Sequence, residues 1–251
     1  MKELHLFAGL GGGILGGMLL GHTPVCAVEI DKYCQRVLRQ RQADGLLPPD
    51  MAIHDDITTF SGKPWRGKVD VVCGGWPCQD LSVAGKGAGL DGKRSGLFFE
   101  LMRVVCEIQP RYVFLENVPA LLVRGFDRVL RAVAENGFDA AWSVLSASDC
   151  GANHQRKRLW ILCKRQVADT ECIRPQGQRA SRQPGDSAKE GDGQATDALN
   201  GCVRSIWAAE PALGRVADGI PDRVGRLRGL GNAQVPIVAA TAFKLLERTL
   251  R

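Results

Sequence analysis

The stretch Lys2-Glu3-Leu4-His5-Leu6-Phe7-Ala8-Gly9-Leu10-Gly11-Gly12-Gly13 sets the architecture of this chain. Lys2–Phe7 reads as a short strand, Ala8–Gly13 as a glycine turn, and Ile14–Leu20 as the opening of a helix. Glycines between a strand and a helix let the backbone approach a ligand closely. Val25–Ile30 is a second apolar strand, and Glu29 near its end is an acid that can bind ribose hydroxyls. The place of the third glycine of a dinucleotide fingerprint is taken by Ile14, so a nucleoside-type cofactor fits better than a dinucleotide. The plainer alternative is a glycine-rich turn beside a surface acid.

Further along, helices and strands alternate. Tyr33–Gln42 has helical character, and Val69–Cys73 is a strand whose unbroken apolar run suits burial on both faces. Ser95–Ile108 places Leu97, Leu101, Val104, Val105 and Ile108 at helical spacing, and Pro110 stops it. Tyr112–Leu115 is another strand. Phe126–Asn136 is a helix closed by Gly137, and Phe138–Leu145 and Leu159–Cys163 are strands. This order predicts an α/β fold with a doubly wound, mostly parallel sheet. From Lys164 to about Gly214 the chain turns to Gln, Gly, Ser, Asp and Arg, too few large apolar residues for a core. That segment is either a flexible insert or a small recognition module. Val235–Leu250 is a last amphipathic helix.

The length of 251 residues suits one large domain or two unequal ones. A net charge of +6 permits a nucleic-acid partner without demanding one. The four histidines, His5, His22, His54 and His154, are scattered, and none of the nine cysteines lies in a C-x-x-C pair, so zinc-type spacing is absent and no metal is expected. An odd cysteine count with no secretory context suggests free thiols in a reducing cytoplasm. Cys106, within an apolar helical pattern, is expected to be a small buried hydrophobe. Leu4–Leu20 is nearly uncharged and follows Lys2, which raises a membrane or secretion signal as a rival reading. Gly9, Gly11, Gly12, Gly13, Gly16 and Gly17 weigh against it by diluting hydropathy and helix propensity.

Several short motifs carry chemistry. Trp76-Pro77-Cys78-Gln79 follows the Val69–Cys73 strand and Gly74-Gly75, placing a thiol at the strand end where α/β sheets hold their ligands. Glu116-Asn117-Val118 ends the Tyr112–Leu115 strand on the same edge. A thiol and a carboxyl converging on one crevice form a catalytic constellation, although Glu116 alone reads equally as a helix-start acid. His54-Asp55-Asp56-Ile57-Thr58 offers an acid and an apolar residue suited to an adenine ring, but by itself is no better than a turn. His154-Gln155-Arg156-Lys157-Arg158 leads into a strand, so Arg156 and Arg158 are expected to share one face of an extended segment. The alternative is a solvated charge run. Gly231-Asn232-Ala233-Gln234-Val235-Pro236 follows a basic stretch, Arg223, Arg226 and Arg228, suited to phosphates.

In this order the motifs resemble the DNA (cytosine-5) methyltransferase family. They are Phe7–Gly12, Glu29, Asp56-Ile57, Pro77–Gln79, Glu116-Asn117-Val118, the arginine pair and the segment from Gly231. Pro-Cys-Gln and Glu-Asn-Val are the most specific members. His154 departs from the Gln that begins the arginine motif in many relatives. The resemblance implies a Rossmann-like S-adenosylmethionine-dependent methyltransferase fold. It divides the chain into a catalytic, cofactor-binding domain of residues 1–163 plus 229–251 and a target-recognition region and hinge at 164–228.

By that resemblance Cys78 adds to C6 of cytosine, Glu116 contacts N3 and the exocyclic amine, and Arg156 and Arg158 steady O2 and the charge of the site. The methyl donor is S-adenosyl-L-methionine, held by Phe7, Ala8, Gly9, Leu10, Gly11, Glu29, Ile30, Asp56, Ile57, Gly75, Pro77, Leu97, Asn232 and Ala233. Gln79, Ser82, Lys86 and Lys93 are the implied DNA contacts on a glycine-rich loop that closes over the duplex. The partner is double-stranded DNA with the target base flipped out. The resemblance is compatible with an orphan, a phage or a restriction–modification enzyme, any cognate endonuclease acting separately, and the chain is expected to be a cytoplasmic monomer in a prokaryote or phage-infected host. Two alternatives stand. A branch of the family methylates tRNA, but its Cys-Phe-Thr tripeptide is absent here. A non-catalytic DNA-binding relative would keep only the fold, which the intact Cys78, Glu116, Arg156 and Arg158 oppose.

Overall fold

The first strand, β1 (Lys2–Leu6), is buried from Glu3 onward. Alternation along a strand puts Leu4 and Leu6 on one face and Glu3 and His5 on the other. In this computed structural model, which describes residues 1–77, 96–166 and 223–251, β1 lies near the middle of a seven-stranded sheet. Its neighbours are β2 (Thr23–Val28) and β4 (Val71–Gly74), with β3 (Ala52–His54) beyond β2 and β5 (Tyr112–Asn117) beyond β4. All of these run parallel. β7 (Arg158–Arg165) pairs antiparallel with β5, and β6 (Phe138–Leu145) pairs antiparallel with β7. The order is β3-β2-β1-β4-β5-β7-β6. One reversed strand, β7, makes the sheet mostly parallel, as the alternation of elements implies.

Six described α-helices cover the sheet: α1 (Gly12–Leu19), α2 (Lys32–Ala43), α3 (Gly96–Ile108), α4 (Phe126–Glu135), α5 (Arg223–Asn232) and α6 (Pro236–Thr249). α2 starts where it does because the Asp31 carboxylate accepts hydrogen bonds from the Tyr33 and Cys34 amides at 2.8 and 3.2 Å. α6 opens on Pro236, whose fixed φ and missing N–H suit a first turn. On one face, Phe98, Leu101 and Val105 of α3 and Val129 and Val133 of α4 pack with Leu4, Leu6, Val72 and Leu115. Burying each such side chain is worth about 1.5–3 kcal/mol. On the other face, Val238, Ala239, Phe243 and Leu246 of α6 pack with Val71, Phe114, Trp160 and Leu162. Ile14 and Leu38 bring α1 and α2 against Ala27. Helices on both faces of a central sheet give three layers.

The element boundaries differ from the expected ones by a few residues, and three findings go further. Ala52–His54 is a strand to which the sequence pattern assigns no element, because three residues are too few to display a strand period. Cys106 is exposed rather than buried, with its Sγ 2.7 Å from Asn136 Oδ1. The buried stripe of α3 instead runs through Phe98, Leu101, Met102, Val104, Val105 and Ile108. The recognition region at 164–228 falls almost wholly at 167–222, outside the described residues, and α5 runs across the expected 228/229 boundary. No described helix is long and apolar enough to cross a membrane.

What positions a site is the order reversal at β1. The chain moves from β1 outward to β2 and β3, then returns to β4 on the other side of β1. The connections after β1 and β4 therefore part company, and a crevice opens between them at the C-terminal ends of the strands.

Candidate active site at the switch point

The turn after β1 is held in an uncommon conformation. Phe7 has φ 56°, and Gly11, which caps α1, has φ 83°. A positive φ is costly for any residue with a Cβ and persists only where surroundings enforce it. Here the enforcement comes from β2. The Gly9 amide donates to Glu29 Oε2 at 2.6 Å, the Asp31 amide to Glu29 Oε1 at 2.7 Å, and the Ala8 amide to the Val28 carbonyl at 3.2 Å. Glu29 is buried, so this carboxylate fastens the glycine turn to the end of the second strand. Each oxygen keeps a lone pair for a further donor.

Beside Glu29, Ile30 stands 68% exposed, a large apolar side chain held in solvent at a strand end. Asp56 and Ile57 follow β3 on the same edge, which the Glu29 amide joins through the His54 carbonyl at 2.9 Å. Arg103 of α3 fixes the Ile57 carbonyl at 2.7 Å.

Glu116, near the C-terminal end of β5, is a largely buried acid of the site, its side chain 13% exposed. Its Oε1 lies 2.9 Å from Arg158 Nε, and its Oε2 accepts from Gln234 Nε2 at 3.4 Å. Gly75 packs directly against it, since a Cβ there would stand 2.7 Å from Glu116 Oε2. Burial pushes its pKa up, while Arg158, Gln234 and Arg156 oppose the shift, and the net direction is upward. The result is a carboxyl that holds a proton more readily than an ordinary glutamate.

The arginine pair does not share one extended face as expected. Arg156 precedes β7 and has φ 38°, a left-handed conformation. Its Nη2 donates to the Gly231 carbonyl at 2.9 Å and the Ala233 carbonyl at 2.5 Å. Arg156 is thus a strap between the arginine segment and the Gly231–Pro236 segment, and Arg158 alone pairs with Glu116. Burial and the Arg158 charge lower the Arg156 pKa. A second tie joins the two strand-end motifs: Asn117 is buried and its Nδ2 donates to the Trp76 carbonyl at 3.4 Å.

One crevice gathers Phe7, Ala8, Gly9, Gly75, Glu116, Asn232 and Ala233 from among the expected residues. Leu10, Gly11, Glu29, Ile30, Asp56, Ile57, Pro77 and Leu97 do not line it. Cys78, Gln79, Ser82, Lys86 and Lys93 lie outside the described residues. Arg228 is exposed and approaches Asp31 at 3.7 Å. Sequence reasoning missed Gln234, which touches Glu116 and approaches α1 so closely that a Cβ on Gly12 would stand 2.1 Å from its carbonyl oxygen. The only signal was its place inside the Gly-Asn-x-x-Val-Pro run. It also missed Glu3, His5 and Cys73, which line the inner end of the same crevice.

Residues 1–203 match the sequence pattern of the family described as C-5 cytosine-specific DNA methylase. The chain is 34% identical over 173 residues to the type II methyltransferase M.CviJI of Paramecium bursaria Chlorella virus IL3A, covering 68% of this chain and 45% of that protein. It is 33% identical over 169 residues to the type II methyltransferase M.HhaI of Haemophilus parahaemolyticus, covering 66% of this chain and 49% of the relative. The chain therefore spans about half the length of these curated relatives. In fold it resembles the Entamoeba histolytica methyltransferase EhMeth, with a TM-score of 0.66 at 13% identity over 100% of this chain and 99% of that one.

Proposed function

The chain belongs to the C-5 cytosine-specific DNA methylase family, and from that premise we propose that it transfers a methyl group from S-adenosylmethionine to C5 of cytosine in double-stranded DNA. The observation that carries this reading is Glu116: a largely buried acid at the switch point, with its pKa raised and Arg158 and Gln234 on its two oxygens.

Cytosine C5 is a poor nucleophile until electrons are pushed toward it. In the proposed reaction the Cys78 thiolate adds to C6, a step that suits a soft and strong nucleophile. Glu116 donates its proton to N3, so the negative charge on the ring is neutralised and the C5–C6 electron pair becomes enamine-like. C5 takes the methyl group, the C5 proton leaves to a base as the Cys78 thiolate is eliminated from C6, and N3 returns its proton to Glu116. An acid at N3 works best if it is protonated near neutral pH, and the burial of Glu116 moves it in that direction. Arg158 offsets negative charge beside it. Reaching such a crevice requires the cytosine to leave the helix, at a cost of a few kcal/mol in unstacking.

The residues at the strand ends suit a nucleoside-type methyl donor. Exposed Ile30 offers a face to a base, Glu29 retains acceptor capacity for ribose hydroxyls, and the Gly9 position has nothing within 4 Å of a would-be Cβ. When bound, that group supplies an electrophilic methyl on a sulfonium. Glu29 would orient it, and Phe7 and Asn232 would wall the crevice.

Incubating the protein with labelled S-adenosylmethionine and either a duplex oligonucleotide library or total tRNA tests the reading. Label at C5 of cytosine in the duplex is expected. Label confined to tRNA, or DNA bound without label, would overturn it.

A further inference from the structure

The inner end of the crevice holds a group of side chains for which the methylation chemistry has no use. Strand alternation places Glu3 and His5 on one face of β1, and the parallel register sets Cys73 of β4 directly beside His5. His22 enters from the turn after α1. Glu3 Oε1 lies 2.7 Å from His22 Nδ1, and Glu3 Oε2 lies 2.9 Å from His5 Nε2. The donor atoms of Glu3, His5 and Cys73 all lie within 4.8 Å of one another. Glu3, His5 and Cys73 are 2%, 4% and 7% exposed, in a face otherwise packed with Phe114, Phe243 and Ala239.

Glu3 is hydrogen-bonded by two imidazoles, and a thiol shares their apolar face. Space is kept for them: a Cβ on Gly17 would collide with the Glu3 carboxylate. Cys73 Sγ has no hydrogen-bond partner among the described residues.

We propose that Glu3, His5 and Cys73, with His22 at the rim, form a binding site for one divalent cation of the zinc class. The donor set is one thiolate, one or two imidazoles and one carboxylate, the mix that tetrahedral Zn2+ takes. Bond lengths of about 2.0–2.3 Å place such donors roughly 3.5 Å apart, so side-chain rotations of about 1 Å close the site. The charges balance, since a dication meets one carboxylate and one thiolate. On binding, the Cys73 S–H bond breaks, an Sγ–metal bond forms, and the proton leaves to solvent. His5 moves its ring proton to Nδ1 and presents the Nε2 lone pair, with no net proton change. The entry path is the crevice itself, which runs from Glu116 and Gln234 down to Glu3 and Cys73. A cation there clamps β1, β4 and the turn before β2 beneath the glycine loop. The sequence hides this site because its donors come from positions 3, 5, 22 and 73 instead of a short ligand motif.

Chelator-stripped protein titrated with Co2+ tests the proposal. A thiolate-to-cobalt charge-transfer band should saturate at one Co2+ per chain, release one proton per metal in weak buffer, and vanish on adding Zn2+. Cys73→Ala should abolish the band, whereas Cys78→Ala and Cys106→Ser should keep it. Should Cys73→Ala fail to fold, X-ray absorption of the Zn2+-loaded wild type gives the same answer, with one sulfur at about 2.3 Å among nitrogen and oxygen ligands. No band in the wild type, a band that survives in folded Cys73→Ala, or a metal shell without sulfur would overturn it. These readouts are independent of methyl transfer.

Discussion

Glu3, fully buried, and Glu116, largely buried, are carboxylates lining one crevice, and the molecule drives them in opposite directions. Glu3 receives a hydrogen bond from an imidazole on each oxygen, and its pKa falls from 4.5 to about 2 although burial alone would raise it. Glu116 has Arg158 on one oxygen and only a 3.4 Å contact from Gln234 on the other, and burial prevails. Burial pushes both pKa values up, and the number and closeness of donors decide the sign. The inner acid is fixed as an anion and holds structure together. The outer acid is shifted toward its protonated form, the state useful for supplying a proton to a base.

The largest test of that contrast is Glu116→Gln. Loss of the proton donor should lower kcat by about 10²–10⁴-fold, the usual contribution of a positioned acid. Because folding raises the Glu116 pKa, the ionised group costs stability above its unfolded value, and the same variant should unfold at equal or higher temperature near neutral pH. A clear fall in Tm would show that the Arg158 pair outweighs burial.

Next in size is acid unfolding of the chelator-treated protein. The folded pKa of Glu3 lies below the unfolded one, so its stabilisation is complete above 4.5 and is lost as pH falls toward about 2. The fall from 4.5 to about 2 corresponds to roughly 3 kcal/mol. Urea unfolding across that window should show the loss in the wild type and a flatter profile in Glu3→Gln. Equal slopes would remove the anion from the account.

The smallest expected effect is that of Gln234→Leu. Gln234 lowers the Glu116 pKa, so its removal should raise it further and move the high-pH limb of the kcat/KM profile upward. The rate at neutral pH should change less than tenfold, and the limb is what the measurement reads.

Much of this architecture was legible in the residues. Unbroken apolar runs at Val69–Cys73 and Tyr112–Leu115 identify strands buried on both faces, and the glycine turn at Phe7–Gly13 marks the place where β1 becomes α1. The alternation of elements does not say that β7 reverses, since antiparallel pairing to β5 and β6 depends on which edge the chain reaches. Cys106 was misread because an apolar neighbourhood in sequence does not say which side of a helix faces out. At the site, Glu116 and the motif glycines were visible as strand ends. The Gln234 contact joins positions 118 residues apart, and the Arg156 strap spans 75 and 77, so neither leaves a local pattern.

The most direct test of the central claim is trapping on duplex DNA that carries 5-fluorocytosine, in the presence of S-adenosylmethionine. With fluorine at C5 the final elimination is blocked, so the account predicts a covalent protein–DNA complex that survives denaturation, forms with the wild type, and is absent with Cys78→Ala. Failure of the wild type to form that complex under conditions where it binds the DNA, or its persistence in Cys78→Ala, would contradict the account.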